Sequence, residues 1–461
     1  MEQGTFNPSR CEIKEAELIP FNKENKRTYD ISLMITEFAM SQSLNLSALT
    51  GTLEIYDGAG LLQNIPLRGE EELRLTIFCY DKQTQVSLNC QVYKIDGVEP
   101  RDDLKGVAYT LHWITKTSYE ASKRSLIKAF DKKASTIVKD IFQQYYSQLQ
   151  LVGPKEKEYL PPNTEVYQLA SNPNRRFYLE KTDDRMHVTI PDYTPAQAIK
   201  FVAKRAFGSS QSKSSAFRFF ENFDGYYFVS DEWLYDYGIG NSNKVLNYGA
   251  YVEKDAANTI EQINTLTHFG NPSRVNVGAE INDGAYYNTV VEIDILKRTA
   301  KRYDYDYKKY QKDFVDSSGK KAAISQDIHT DDFIKETFTP ENAKQFMIIR
   351  DYKDTHAKYA YRPENNFRDM VSKRAFYLNH ASRTQVSGLT TGRLDLQVGQ
   401  IIRINIREID AGSQSKDNQQ LSGRYLIAGI ENSVNDGELS TGISFIKFDW
   451  SDAGSDTRGA L

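Results

Sequence analysis

Few residues in this chain are equipped for chemistry, and those few do not assemble into a known reactive pattern. The chain has only six histidines and three cysteines. His112 sits in an alternating run and faces opposite to Leu111 and Trp113, as expected of a surface or hydrogen-bonded strand histidine. His329 stands near Asp331 and Asp332, but no H-x-x-x-H or C-x-x-C spacing accompanies them, and a solvated loop is the plainer reading. Asp304 and Asp306 alternate with Tyr303, Tyr305 and Tyr307. The calcium-loop template fails there, because its Gly and closing Glu are missing. The neighbours Lys301, Arg302, Lys308 and Lys309 suit an exposed charged strand or a protein interface, or a surface for single-stranded nucleic acid.

Glu70, Glu71 and Glu72 offer carboxylates for glycoside hydrolysis, which needs two groups at a set separation with one pKa raised. A solvated turn is the plainer reading of three adjacent acids. Gly238-Ile239-Gly240 meets Asn243 where a dinucleotide fingerprint needs Gly or Ala. No G-x-S-x-G, phosphate-loop or H-E-x-x-H motif occurs. The expectation is therefore no enzyme, with no catalytic residue, no cofactor and no metal.

Composition narrows the class. A chain of 461 residues exceeds one core, and about three domains is the ordinary outcome. The 29 Tyr and 23 Phe can fill packed cores. A formal net charge of −4 gives no general attraction to nucleic acid or acidic membranes. Cys11, Cys79 and Cys90 are odd in number and show no paired spacing, as expected of reduced thiols in a protein assembled in cytosol. No apolar run nears the roughly 20 residues of a membrane span. Met1 to Pro20 lacks the apolar stretch of a signal peptide, so the chain is expected to be soluble and not exported by a classical route.

The elements follow from periodicity. Alternation over Tyr29–Ile35, Leu73–Cys79, Val86–Val92 and Val107–Trp113, with turns at Asp57-Gly58 and Asp96-Gly97, predicts an antiparallel barrel or sandwich between about Cys11 and Thr115. From Ala134 the stripe Ile137, Val138, Ile141, Phe142, Tyr145 predicts a helix. Thr194, Pro195 and Gln197 predict a capped helix start, with Gly208 as its stop. Asn222-Phe223-Asp224-Gly225 predicts a hairpin between two aromatic strands. Val275–Val277 and Val290–Leu296 read as strands, Phe367–Leu378 as a helix, and strands resume from Thr384 to Asp449.

One β pattern occurs twice. Leu67-Arg68-Gly69, Leu73–Ile77 and Tyr93-Lys94-Ile95-Asp96-Gly97-Val98-Glu99 parallel Leu396–Gly399, Ile402–Ile406 and Tyr425-Leu426-Ile427-Ala428-Gly429-Ile430-Glu431. A doubled β unit lets three chains present six similar units to a six-fold ring.

In order and spacing, the chain resembles the T4-type baseplate hub protein of contractile-tailed bacteriophages, a group that includes the base domain of VgrG spike proteins in type VI secretion. Phe38–Leu44 through Gly51–Asp57 resembles an early strand pair of that family, and Ser118–Phe130, after Leu111-His112-Trp113-Ile114, resembles its first helix. Tyr193–Gln197 to Gly208, with the hairpin to Trp233, resembles the middle domain. Arg374–Ser382, Leu396–Ile401 and Gly423–Phe448 resemble the entry and close of the second barrel.

The resemblance implies an α+β, mainly β fold: two similar small antiparallel β-barrels separated by an α+β domain, with an insertion in the second barrel. The expected division is 1–116 first tube-like barrel, 117–243 middle domain, 244–296 and 364–450 second barrel, 297–363 inserted domain and 451–461 tail. It further implies a homotrimer with pseudo-six-fold symmetry in the virion baseplate, assembled in the host cytoplasm. Its expected partners are a tail tube or tube-initiator protein, a central spike and baseplate wedge proteins, with DNA passing through the channel without specific binding. The chain stops soon after Trp450, which favours a separate spike. The competing expectations are a hub of a non-phage injection or secretion particle, a tail-associated cell-wall hydrolase, and a DNA-binding module with salt-dependent affinity.

Overall fold

The computed structural model describes residues 10–21, 27–65, 67–80, 83–100, 106–152, 163–182, 185–208, 215–239, 244–248, 264–273, 277–284, 287–294, 298–306, 344–350, 371, 374–375, 378, 385–406, 421–435 and 437–447. The protein is mainly β with an α+β middle.

The alternating runs build the first unit: β1 (Cys11–Ile19), β2 (Tyr29–Asp30), β3 (Ile35–Ser43), β4 (Thr50–Asp57), β5 (Glu72–Cys79), β6 (Thr84–Pro100) and β7 (Val107–Thr115). Their inward residues, among them Phe38, Leu53, Leu75, Leu111 and Trp113, form one core. Burying such side chains stabilises each by roughly 1.5–3 kcal/mol. Phe38 stacks on Trp113 with centroids 6.0 Å apart. Asp57 closes the turn after β4 as expected, accepting the N–H groups of Ala59, Leu61 and Leu62.

Two readings fail here. The run Tyr29–Ile35 is mostly not a strand: Tyr29–Asp30 pairs with β1 and Ile35 opens β3, but a 3-10 turn at Ser32–Met34 lies between them. Asp30 accepts from the Ser32 N–H and hydroxyl, a local bond that outcompetes the ladder. Asp96-Gly97 is not a turn between strands. It lies inside the 17-residue β6, where Gly97 takes a φ of 63° at a bulge against β7.

The middle domain comprises α1 (Lys116–Ser122), β8 (Leu126–Lys133), α2 (Ala134–Tyr145), β9 (Leu149–Val152), β10 (Thr164–Leu169), β11 (Asn172–Glu180), β12 (Arg185–Tyr193), α3 (Pro195–Ala203), β13 (Phe217–Glu221), β14 (Gly225–Ser230) and α4 (Asp231–Tyr237). The α2 stripe is buried as its period demands. The reciprocal cap at Thr194 and Gln197 is present, and Asn222 accepts from the Asp224 and Gly225 N–H groups in the β13–β14 turn. The helix expected over Ser118–Phe130 stops at Ser122, and β8 instead pairs with β12. Leu126 and Phe130, four residues apart, suit one face of a strand as well as one face of a helix. Gly208 does not stop α3, which ends at Ala203; Gly208 bridges Thr182.

The second unit contains β15 (Val245–Tyr248), β16 (Thr265–Ser273), β20 (Gln385–Thr391), β21 (Ile401–Ile406), β22 (Gly423–Asn435) and β23 (Glu438–Ile446). These close into a six-stranded barrel in the order β22-β21-β15-β16-β20-β23, with β23 returning to β22. Between β16 and β20 come α5 (Val277–Asp283) and a separate sheet of β17 (Tyr287–Asp294), β18 (Thr299–Asp306) and β19 (Lys344–Arg350). The insertion therefore begins before Lys297: β17, expected in the barrel, pairs with β18 and β19 instead, while Val277 starts a helix. Apolar strands look alike in sequence whichever sheet receives them. Most of 307–370, with His329, Asp331, Asp332, Phe367 and Met370, lies outside the described residues, while Val371, Arg374, Ala375 and Leu378 are helical.

Candidate assembly interface

The most specific geometry in the chain is a repeated strand order. The first unit runs β1-β5-β6-β7-β4-β3 across its sheet, and the second runs β15-β21-β22-β23-β20-β16. Both orders pass through the same sequence of places, so β3, β4, β5, β6 and β7 correspond to β16, β20, β21, β22 and β23 with the same strand senses, while β1 and β15 share a place but not a direction, β1 running antiparallel to β5 and β15 parallel to β21.

Register makes the correspondence residue-specific. Glu72 opposes Gln91 in the first unit, and Ile401 opposes Leu426 in the second. The residue before each strand then accepts from the next strand: Val92 N–H donates to Glu71 O at 2.8 Å, and Ile427 N–H to Gln400 O at 2.9 Å. One step further, each long strand bulges. Tyr93 is skipped between Val92 and Lys94, and Ala428 between Ile427 and Gly429. Coincident bulges at equivalent points are a specific architectural signature, since a bulge re-aims every side chain beyond it.

The same register corrects the sequence repeat. Leu73–Ile77 and Ile402–Ile406 are true equivalents, but the Tyr-x-Ile-x-Gly match is three residues out. Tyr425 occupies the place of Cys90, and both are fully buried, whereas Tyr93 is 45% exposed. Gly69 and Gly399, both with positive φ, serve the loops before β5 and β21 one position apart.

The two units meet edge to edge. β3 pairs antiparallel with β22 from Ser43 opposite Gly429 to Glu37 opposite Asn435, which fuses both units into one 13-stranded sheet. β6 has a matching edge beyond Tyr93. Its inner edge pairs with β7, and its outer edge pairs with no described strand. This segment carries Val98, 51% exposed, and the acids Asp96 and Glu99. Lys94 and His112 bond Asp96 and hold its carboxyl below the usual carboxylate range. β16 likewise pairs with β20, but its contact with β15 ends at Leu266.

A buried polar cluster fixes the first unit to the middle domain. Glu221 on β13 accepts from Leu49 N–H at 3.0 Å, Thr115 Oγ1 at 2.7 Å and Ser118 Oγ at 2.9 Å, and pairs with Arg175 at 2.5 Å. A second cluster joins Arg218 to Asp231 and Asn45, with Glu232 receiving Ser215 N–H nearby. Burial pushes the Glu232 carboxyl up to about 7.

The remaining candidates make contacts within the fold. His112 is half-buried and bonded to Asp96 at 2.8 Å. Glu71 is not solvated, contrary to the turn reading. Its carboxylate accepts the backbone N–H groups of Arg68, Gly69 and Glu70 and orders the loop before β5, while Glu72 pairs with Lys116. Asp304 on the exposed β18 bonds Arg302 of the same strand and Thr289 of β17 opposite. Gly238 ends α4 with a φ of 66°, and Ile239 N–H bonds Gly399 O at 3.0 Å, so this glycine pair docks the middle domain on the second barrel. Among the described residues no group of three or more potential ligands could hold a metal, and no helix is long and apolar enough to cross a membrane. Glu221 and the β16 edge were missed in the sequence; the signal for the first was an acid ending an aromatic run, Phe219-Phe220-Glu221.

No family model matches this chain, and no curated protein matches it. Solved structures do. A tail protein from Neisseria meningitidis aligns with a TM-score of 0.50 at 8% identity, covering 96% of this chain and 98% of its own. A 43 kDa tail protein of prophage MuSo2 from Shewanella oneidensis aligns at 0.47 with 12% identity over 96% and 99%. A component of the Escherichia coli type VI secretion system aligns at 0.41 with 8% identity over 97% and 79%. The chain therefore has the fold of the Neisseria tail protein, as the sequence resemblance led one to expect.

Proposed function

We propose that this protein is the structural hub of a contractile-tail baseplate. In this reading three chains form a ring with pseudo-six-fold symmetry, one face meeting a hexameric tail tube or its initiator and the other receiving a central spike. Wedge proteins surround it, and DNA passes through the channel without specific binding. The hub is part of the virion, assembled in the host cytoplasm, and it performs no catalysis.

The observation that carries the reading is the repeated strand order with its coincident bulges, two units joined side by side within one sheet. A threefold object built of such pairs offers six similar units to a sixfold partner. The fold shared with a tail protein supports it. Mass measurement of the purified chain over a concentration series tests it, together with symmetry analysis of particle images. A stable trimer with six similar lobes is expected; a monomer at every concentration counts against the reading.

A further inference from the structure

Each unit of this chain has one strand that reaches out and one edge that receives. In the second unit the receiving edge is β22 after its bulge, and β3 of the first unit occupies it. The first unit's receiving edge is the equivalent stretch of β6, Lys94 to Pro100, and among the described residues its outer side pairs with no strand. The reaching strand of the second unit, equivalent to β3, is β16, whose outer side beyond Leu266 is likewise without a described strand. One chain thus holds one complete joint and the two halves of another.

We infer that β6 of one copy pairs antiparallel with β16 of a second copy, repeating the β3–β22 joint between chains. The inference rests on the trimer reading and deepens it by naming the contact. Such a joint is head-to-tail, and repetition of head-to-tail joints closes a ring when the rotation allows. Strand addition at an open edge supplies backbone hydrogen bonds and removes the exposed ladder.

The register transfers from the joint already made. Ser433 opposes Ala39 there. Glu99 stands in the place of Ser433, since Glu99 opposes Ala108 and Ser433 opposes Ser440. Gly270 stands in the place of Ala39, since Ala39 opposes Thr52 and Gly270 opposes Ser387. Glu99 of one copy therefore opposes Gly270 of the next. Charge is compatible: β6 brings Asp96 and Glu99, and Thr265–Ser273 contains no acid. Pro100 and Pro272 lack N–H donors, so this ladder is shorter than the one within the chain.

Cysteine cross-linking tests the pairing. The native Cys11, Cys79 and Cys90 are buried, so a short bis-maleimide reads the introduced thiols. The Glu99→Cys, Gly270→Cys double variant is expected to give covalent dimers and trimers. Mixed single variants are expected to give dimers only, and each single variant alone none. A trimer by mass with no cross-link in the double variant overturns the joint and leaves the hub reading standing. Cross-linking by Glu99→Cys alone means a two-fold contact and also overturns it. A chain that stays monomeric overturns both. On the unaltered chain, outward amides of residues 94–99 are expected to exchange at least tenfold more slowly in the trimer than after dilution to monomer; equal rates overturn the joint.

Discussion

Glu221 lies fully buried with its carboxylate 2.5 Å from the Arg175 guanidinium, and that one acid links Leu49 and β7 of the first unit, and the exit helix α1, to β13. Replacing it by alanine strands the Arg175 charge and the Leu49 N–H out of water. Glu221→Ala is expected to destabilise the seam by roughly 3–5 kcal/mol, the usual cost of breaking a buried pair from one side. Urea unfolding followed by tryptophan fluorescence measures it. An unchanged midpoint removes the cluster from any role in joining the two parts.

Glu232 sets a pH dependence. Its carboxyl is raised to about 7 in the folded chain by burial, with Asp231 and Glu180 adding to the effect. A raised folded pKa favours the protonated acid. The stabilisation is full below the unfolded value near 4.5 and is lost as pH rises through about 7. The span corresponds to on the order of 3 kcal/mol. Glu232→Gln mimics the neutral acid, so its unfolding midpoint is expected to fall less than that of the parent between pH 4.5 and 7.5. Parallel curves for the two proteins refute this.

Gly51 opposes Trp113 across β4 and β7. A Cβ there would lie 2.3 Å from the Trp113 ring and 2.2 Å from Ala39 O. The carbonyl is backbone of β3 and cannot swing aside. Gly51→Ala is therefore expected to lower stability by about 1–3 kcal/mol through overpacking, read as a lower thermal transition and altered Trp113 fluorescence.

Thr194 accepts the Gln197 N–H while Gln197 bonds back to the Thr194 N–H at 3.0 Å. Thr194→Ala is expected to cost about 1 kcal/mol, and Thr194→Asp much less, because aspartate restores the acceptor at the helix start. A urea midpoint series checks the ranking. Equal losses in both variants sink the capping argument.

Local features were readable wherever a short stretch decided its own structure. The α2 stripe, the Thr194 box, the Asn222 turn and the alternation of β5, β6 and β7 all depend on neighbours within a few residues. Readings failed where a distant partner chose. β8 is a strand because β12 pairs with it, and β17 leaves the barrel because β18 and β19 receive it. Glu71 looked solvated until its three N–H donors came into view.

The duplication divides the same way. By itself the sequence determined that two similar alternating β regions flank a mixed domain, because alternation is a property of the chain and its burial. Only the tertiary structure decided that Tyr93 is matched by Ala428 and not by Tyr425, and that β3 crosses to β22. A bulge or a strand edge is a relation between two segments, and a slip of three residues reverses which face is buried while leaving the pattern of letters looking the same.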